Sequence, residues 1–222
     1  LLALVMVNRP AFRAMLAISW FWFLGATFLS LLPAYAKEVL GADETVLTVL
    51  LAGFSIGVAL GALLAETACR GRKPSDIPAY GALGLAVMAV ELYMATPASP
   101  PRELMDRAAF FSGPEGWRIL VDFVALAAFA GLYVTPLNAV LQAEAEERRR
   151  GQYIAASNVV DASLMVVSAG VVGVMVALGI GTAEVLVLLT LTGLPMSFAV
   201  ARFAPATRLG RIALWLWPRG PV

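Results

Sequence analysis

The sequence predicts an all-α, polytopic membrane protein whose six transmembrane helices form two groups of three, an inverted 3+3 repeat. Three observations predict it. Hydrophobic residues make up 60% of the 222 positions and charged residues only 14%, against roughly 45–50% and 25% in a soluble domain, and mean hydropathy is +0.83. The apolar residues gather into six runs, each long enough at about 1.5 Å per residue to cross about 30 Å of hydrocarbon. The basic residues crowd into alternate connections between those runs.

The runs cover residues 14–36, 45–69, 77–96, 117–142, 152–180 and 183–203. Residues 1–13 read as the cytoplasmic end of a preceding linker, with 1–7 the frayed end of an earlier element, and residues 204–222 read as a cytoplasmic tail. With the N-terminal flank inside, the inner segments hold Arg9, Arg13, Arg70, Arg72, Lys73, Arg148, Arg149, Arg150, Arg202, Arg208, Arg211 and Arg219, and the outer segments hold only Lys37, Arg102, Arg107 and Arg118. The positive-inside rule therefore puts both ends in the cytoplasm and requires an even number of spans. The chain begins at Leu1 with no basic segment and cleavage site ahead of the first apolar run, so it reads as cut from within a longer protein.

The longest connection, residues 97–116, is rich in Pro, Gly and charge and separates the two groups of three, 14–96 and 117–203. Each group opens with an aromatic-containing helix that carries a Gly and a later Pro, Gly25 with Pro33 and Gly131 with Pro136. Three spans followed by three of opposite direction is a recurrent transporter device.

Polar residues within the runs are the candidate site. Ser19, Phe23, Thr27 and Ser30 follow one face of the first run, beside Trp20, Phe21 and Trp22. Such hydroxyls either face a cavity or bond back to their own helix, with the Trp residues at the membrane interface. Asn138 and Gln142, at i and i+4, share a face of the fourth run, and Asn158, Asp161 and Ser168 one of the fifth. Asp161 lies deep in its run, where a charge costs several kcal/mol unless it meets a cavity, a partner or a proton. It reads either as part of a structural polar cluster at an inner gate or as a headgroup or proton site. Glu66 and Arg70, at helical spacing and followed by Arg72 and Lys73, read as an inner gate or latch, or as a solvated pair worth little. Gly53, Gly57 and Gly61 form a stripe for close helix packing, which would also suit a sliding contact between bundles. Glu91, Arg118 and Asp122 near the outer ends read mainly as interface anchors.

Several classes are excluded. Net charge is +1 and gives no bias towards nucleic acid. There is no His, and the one cysteine, Cys69, allows neither an intrachain disulfide nor a zinc cluster. No Walker loop, dinucleotide fingerprint or HExxH occurs, so no catalytic residue, metal or cofactor is expected.

Two stretches resemble a known family. The run AISWFWFLGATFLSLLPAYAKEVLGADETVLTVLLAGFSIGVALGALLAE resembles the seventh and eighth helices of bacterial lysophospholipid transporters of the major facilitator superfamily. YVTPLNAVLQ followed by RRRGQYIAASNVVDASLMVVS resembles their tenth and eleventh. The similarity covers most of residues 9–203. The chain departs from the family at Ser157 and Asp161, where the family tends to carry Asn. It departs again at Gly71, which follows Glu66 by five residues where the superfamily's loop signature places it three after the acid.

The resemblance implies the second half of a twelve-helix transporter in the bacterial inner membrane. It implies a substrate of the 2-acyl-glycerophosphoethanolamine type, moved by alternating access for reacylation. The partners so implied are membrane lipid, the lysophospholipid, the N-terminal six-helix half and, as in related fused proteins, an acyltransferase outside these residues. Two other readings stand beside it: a drug or metabolite efflux half of the same superfamily with Asp161 as proton carrier, and a membrane anchor for a lipid-modifying enzyme.

Overall fold

The computed structural model describes residues 2–70, 74–97 and 103–202. These are helical throughout apart from short connections and an isolated β-bridge between Ala42 and Met105. Six helical stretches are long and apolar enough to cross a membrane. Arg72, Lys73 and the expected tail 204–222 lie outside the described residues.

The first described residues are helical. They form α1 (Leu2–Val7), which packs on the next helix with Val5 fully buried. Helix α2 (Arg9–Ala34) starts earlier than the expected residue 14, because Asn8 caps it. The Asn8 side chain accepts from the Ala11 N–H at 3.2 Å, and Pro10 occupies the first turn, where no N–H is needed. The same Asn8 donates Nδ2–H to the carbonyl of Glu144 at 2.9 Å, which ties the start of α2 to the end of a helix 136 residues on.

At its other end α2 contains Pro33, which has no N–H to give to the ladder. The chain then widens into a π-helical turn, Tyr35–Val39, closed by the Leu40 N–H on the Tyr35 carbonyl at 3.0 Å. Gly41, at φ +62°, reverses the chain in the left-handed region that glycine tolerates. Asp43 then caps α3 (Glu44–Cys69), accepting from the N–H groups of Thr45 and Val46 at 2.9 and 3.2 Å and from the Thr45 hydroxyl at 2.6 Å.

The Thr45 hydroxyl above all, then the two N–H groups, hold the Asp43 carboxyl below the usual carboxylate range, against some desolvation. A carboxylate depressed in the folded state stabilises above its unfolded value and stops doing so as pH falls through the folded one. Amide exchange at Thr45 and Val46, corrected for intrinsic rate, should therefore accelerate on acidification below the usual carboxylate range. Asp43→Ala should show fast exchange at every pH.

Helix α3 touches the bundle along one seam. Its buried residues, Val46, Leu50, Gly53, Gly57, Gly61 and Ala65, recur every three to four positions. Leu51, Ile56, Leu60, Leu63 and Leu64 on its other faces are exposed. Such a face is untenable in water and ordinary in lipid. Helix α4 (Pro78–Ala95) begins on a proline and is followed, after the connection, by the one-turn α5 (Arg107–Phe110). Met105, just before α5, is fastened to the α2–α3 turn by its N–H on the Gly41 carbonyl (2.7 Å) and its carbonyl on the Asp43 N–H (3.0 Å).

Helix α6 (Pro114–Glu144) is the centre of the bundle, packed on α3, α4 and α2. Helix α7 (Arg150–Ala177) again holds by one seam, Tyr153, Ser157, Asp161, Ser168 and Val172, laid mainly on α2. The last span, expected over 183–203, runs over Thr182–Ala201 among the described residues. It divides at Thr192 into α8 (Thr182–Leu191) and α9 (Gly193–Ala201), both packed on α4. The likeness of Gly25 to Gly131 does not extend to packing. A Cβ on Gly131 would strike the backbone of α3, whereas one on Gly25 would meet nothing within 4 Å.

Candidate functional site

The middle of α2 gathers polar contacts from three other helices. The Tyr133 hydroxyl of α6 donates to the Ala17 carbonyl at 2.9 Å. The Ser19 hydroxyl lies 2.5 Å from Asp161 Oδ1 on α7. Trp20 Nε1–H donates to the Thr192 hydroxyl, at the break between α8 and α9, at 2.9 Å. Ser19 and Tyr133 are completely buried. In a hydrocarbon surrounding, each of these groups needs its partner, because no water is present to replace it.

Asp161 is the focus. It is 7% exposed, and its hydrogen-bonding partners are hydroxyls and not cations: Ser19 on Oδ1, and Ser157, one turn earlier on its own helix, at 3.4 Å from Oδ2. Ser19 also lies 2.9 Å from the Met15 carbonyl. A serine has one proton, so it cannot serve both acceptors at once. The 2.5 Å separation is at the short end of O–H···O bonds, and a carboxylate is the stronger acceptor for that proton. The Met15 carbonyl, already inside a helix, is the acceptor that can forgo a second bond.

The other expected pathway residues are not drawn into this cluster. Thr27 is buried but donates back to the Phe23 carbonyl at 3.1 Å, and the exposed Ser30 donates to the Thr27 carbonyl at 3.0 Å. Phe23 is half-buried. Asn138, also half-buried, donates to the Val134 carbonyl at 3.0 Å, while Gln142 is exposed. Asn158 does not share the buried face of Asp161 and Ser168; three residues from Asp161, it falls off the α2 seam and is exposed.

The inner pair is local. Arg70 and Glu66 are 3.5 Å apart at largely exposed positions one turn apart on α3, so the contact joins a helix to itself and latches no two elements. The glycine stripe faces α6. A Cβ on Gly53 would meet Leu120 at 2.7 Å, and on Gly57 and Gly61 it would be driven into the carbonyls of Val124 and Ala128. The stripe is thus a contact inside this bundle, and no surface for sliding past another.

Sequence reasoning missed Tyr133, Thr192 and the Trp20 contact. A tyrosine in mid-span was the available signal, since a buried phenol needs an acceptor. Among the described residues no group of three or more acidic or cysteine side chains gathers where it could hold a metal ion. No family model, curated protein or solved structure matches the chain.

Proposed function

We propose that the chain is one six-helix half of a facilitator-type lipid transporter of the bacterial inner membrane, with both ends cytoplasmic and a lysophospholipid as cargo. One observation supports the proposal: exchanging α2, α3 and α4 for α6, α7 and the α8–α9 pair returns the same set of neighbours, though α8 leans on α2 far less than α4 does on α6. Helix α3 lies on α6 as α7 lies on α2; α4 leans on α6 as α8 leans on α2; and α4 meets α8 and α9. That is the pattern expected of an inverted 3+3 repeat.

The repeat leaves α3 and α7 as the outer members, with only 28% and 17% of their most apolar stretches buried. Helix α7 nevertheless exposes Asn158 and Ser163 within its span. Polar side chains at that depth favour a second bundle or a wet path over acyl chains. The exposed Trp22 and half-buried Phe23 follow Ser19 on α2 by three and four residues, an apolar surface one turn from a polar group, as suits a one-chain lipid. The resemblance to lysophospholipid transporters agrees with this.

The test is transbilayer movement of a fluorescent lysophosphatidylethanolamine by the intact protein in proteoliposomes, read by extraction with albumin. Movement above protein-free vesicles is expected. Asn158→Leu should slow it about tenfold, the equivalent of one lost hydrogen bond to the headgroup. Asp161→Asn should leave it working. The buried Asp161 clasp favours one other reading, proton-coupled efflux. Movement of a cationic amphiphile that needs a pH gradient and is abolished by Asp161→Asn, with no lysolipid movement, would replace the proposal. Unchanged reacylation of supplied lysolipid in transport-null Asn138 and Asn158 variants would favour a plain anchor.

A further inference from the structure

A second buried acid sits at the other end of the bundle. Asp122 of α6 is 4% exposed, and its Oδ2 has no hydrogen-bond partner. One turn nearer the helix end, Arg118 holds Glu91 of α4 through Nε at 3.0 Å and Nη2 at 2.6 Å, both on Glu91 Oε1. Both of these side chains are partly open to water, at 50% and 39% exposure. Arg118 and Asp122 are at i and i+4, within reach on one helix face. Arg118 therefore has two carboxylates to choose between and is committed to the outer one.

The groups facing Asp122 complete the case. Its own helix supplies Arg118, and α4 supplies Glu91. From α2 comes the π-helical turn, whose Tyr35 ring packs 6.1 Å from that of Phe123, the next residue after Asp122. The Tyr35 hydroxyl is 2.9 Å from the Thr96 hydroxyl. On the opposite flank α3 meets α6 through Gly53, against Leu120 and Val124, and its nearest acid in sequence, Glu44, lies nine residues away in its first turn. A buried carboxylate oxygen without a donor is costly when charged and tolerable when it carries a proton. A π-turn beside it is the kind of helix irregularity that recurs at working sites.

We infer that Asp122 is a proton-binding site that sets the partner of Arg118, so that proton binding there locks α4 to α6. In the conformation described, one proton from the adjoining aqueous phase forms the O–H bond on Asp122, and Arg118 stays on Glu91. When that proton returns to water, the charge left on Asp122 draws Arg118 inward. Glu91 is released and the ion tie between α4 and α6 opens. No oxidant or further reactant is involved. The Asp161 clasp plays no part in this exchange, and the inference stands whether or not the chain moves lysolipid.

The test needs no transport assay. Infrared difference spectra of the intact protein in lipid, taken at neutral pH, should show a protonated-carboxyl band that Asp122→Asn removes and Asp161→Asn leaves in place. Glu91→Gln, at a partly exposed position, should lower the same band about tenfold or more, because the freed Arg118 then pairs with an ionised Asp122. A band that survives Asp122→Asn, or none in the unaltered protein, overturns the site. A band at full height in Glu91→Gln overturns the exchange of partners, and this variant decides the matter even if Asp122→Asn fails to fold.

Discussion

Gly61→Val should detach α3 from the bundle. At Gly61 a Cβ would be driven into the Ala128 carbonyl, with Ala128 C and Cα 2.7 and 2.9 Å away, so the obstacle is backbone and cannot turn aside as a side chain does. Helix α3 has no other seam on which to fall back: its buried residues all lie on the line from Val46 to Ala65. In lipid the association of helices rests on close packing more than on burial from water, so a lost close approach is not repaid elsewhere. Overpacking a tight site costs about 1–3 kcal/mol and sometimes more, and a crossing of two backbones belongs at or above the top of that range. Gly57→Val should behave similarly, because Val124 O blocks it in the same way. The comparison is with Gly170→Val and Gly173→Val on α7, where an added Cβ meets no atom within 4 Å. These should fall within about 0.5 kcal/mol of the unaltered protein. Unfolding in mixed micelles by increasing SDS would read all four, and equal losses for the two helices would refute the packing argument.

The contrast between α3 and α7 shows what the sequence made legible. The glycines of α3 announce a close approach because they recur at i and i+4 and nothing else explains three of them in one helix. Asp161 announces itself because a carboxylate deep in an apolar run demands an answer. What answers it was not readable: Ser19 is 142 positions away, and its two neighbours along the same face, Thr27 and Ser30, bond to their own helix instead. Periodicity assigns a residue to a face but does not say which element covers it. That is why Asn158 was grouped with Asp161 and lies outside the seam, and why Asp122 passed for an interface anchor and is buried. The Glu66–Arg70 pair forms as its spacing predicts, largely exposed and within one helix, while Arg72 and Lys73, the rest of the expected latch, lie outside the described residues. The break at Thr192 was partly legible, since Gly193 follows it and Pro195, three residues on, has no N–H to give to the Leu191 carbonyl; tertiary contacts complete it, Trp20 on the Thr192 hydroxyl and Gly193 against the Ala82 carbonyl.

Ser19 and Asp161 should prove strongly and asymmetrically coupled. Ser19→Ala removes the short donor and leaves Asp161 with Ser157 alone, at 3.4 Å, a poor bond. A buried carboxylate deprived of its donor loses about 1.5–3 kcal/mol. Asp161→Leu removes the charge as well as the bond, and Ser19 keeps the Met15 carbonyl as acceptor, so this change should cost less than Ser19→Ala despite removing the more polar group. With both changes made, only the buried Ser157 hydroxyl is left to turn to another acceptor, a need that Asp161→Leu already creates on its own, and apolar contact replaces the clasp at small further cost. The cycle should therefore close with a coupling of about 2 kcal/mol. Interhelical hydrogen bonds between neutral groups in lipid average about 0.6 kcal/mol, so the size of the coupling distinguishes a serine donating to a carboxylate from a serine paired with a neutral acid. Unfolding of the four proteins in the same micelles measures it. A coupling near zero, or a Ser19→Ala variant no weaker than Asp161→Leu, would mean that α7 is held to α2 by its apolar seam residues and that the 2.5 Å contact contributes nothing of its own.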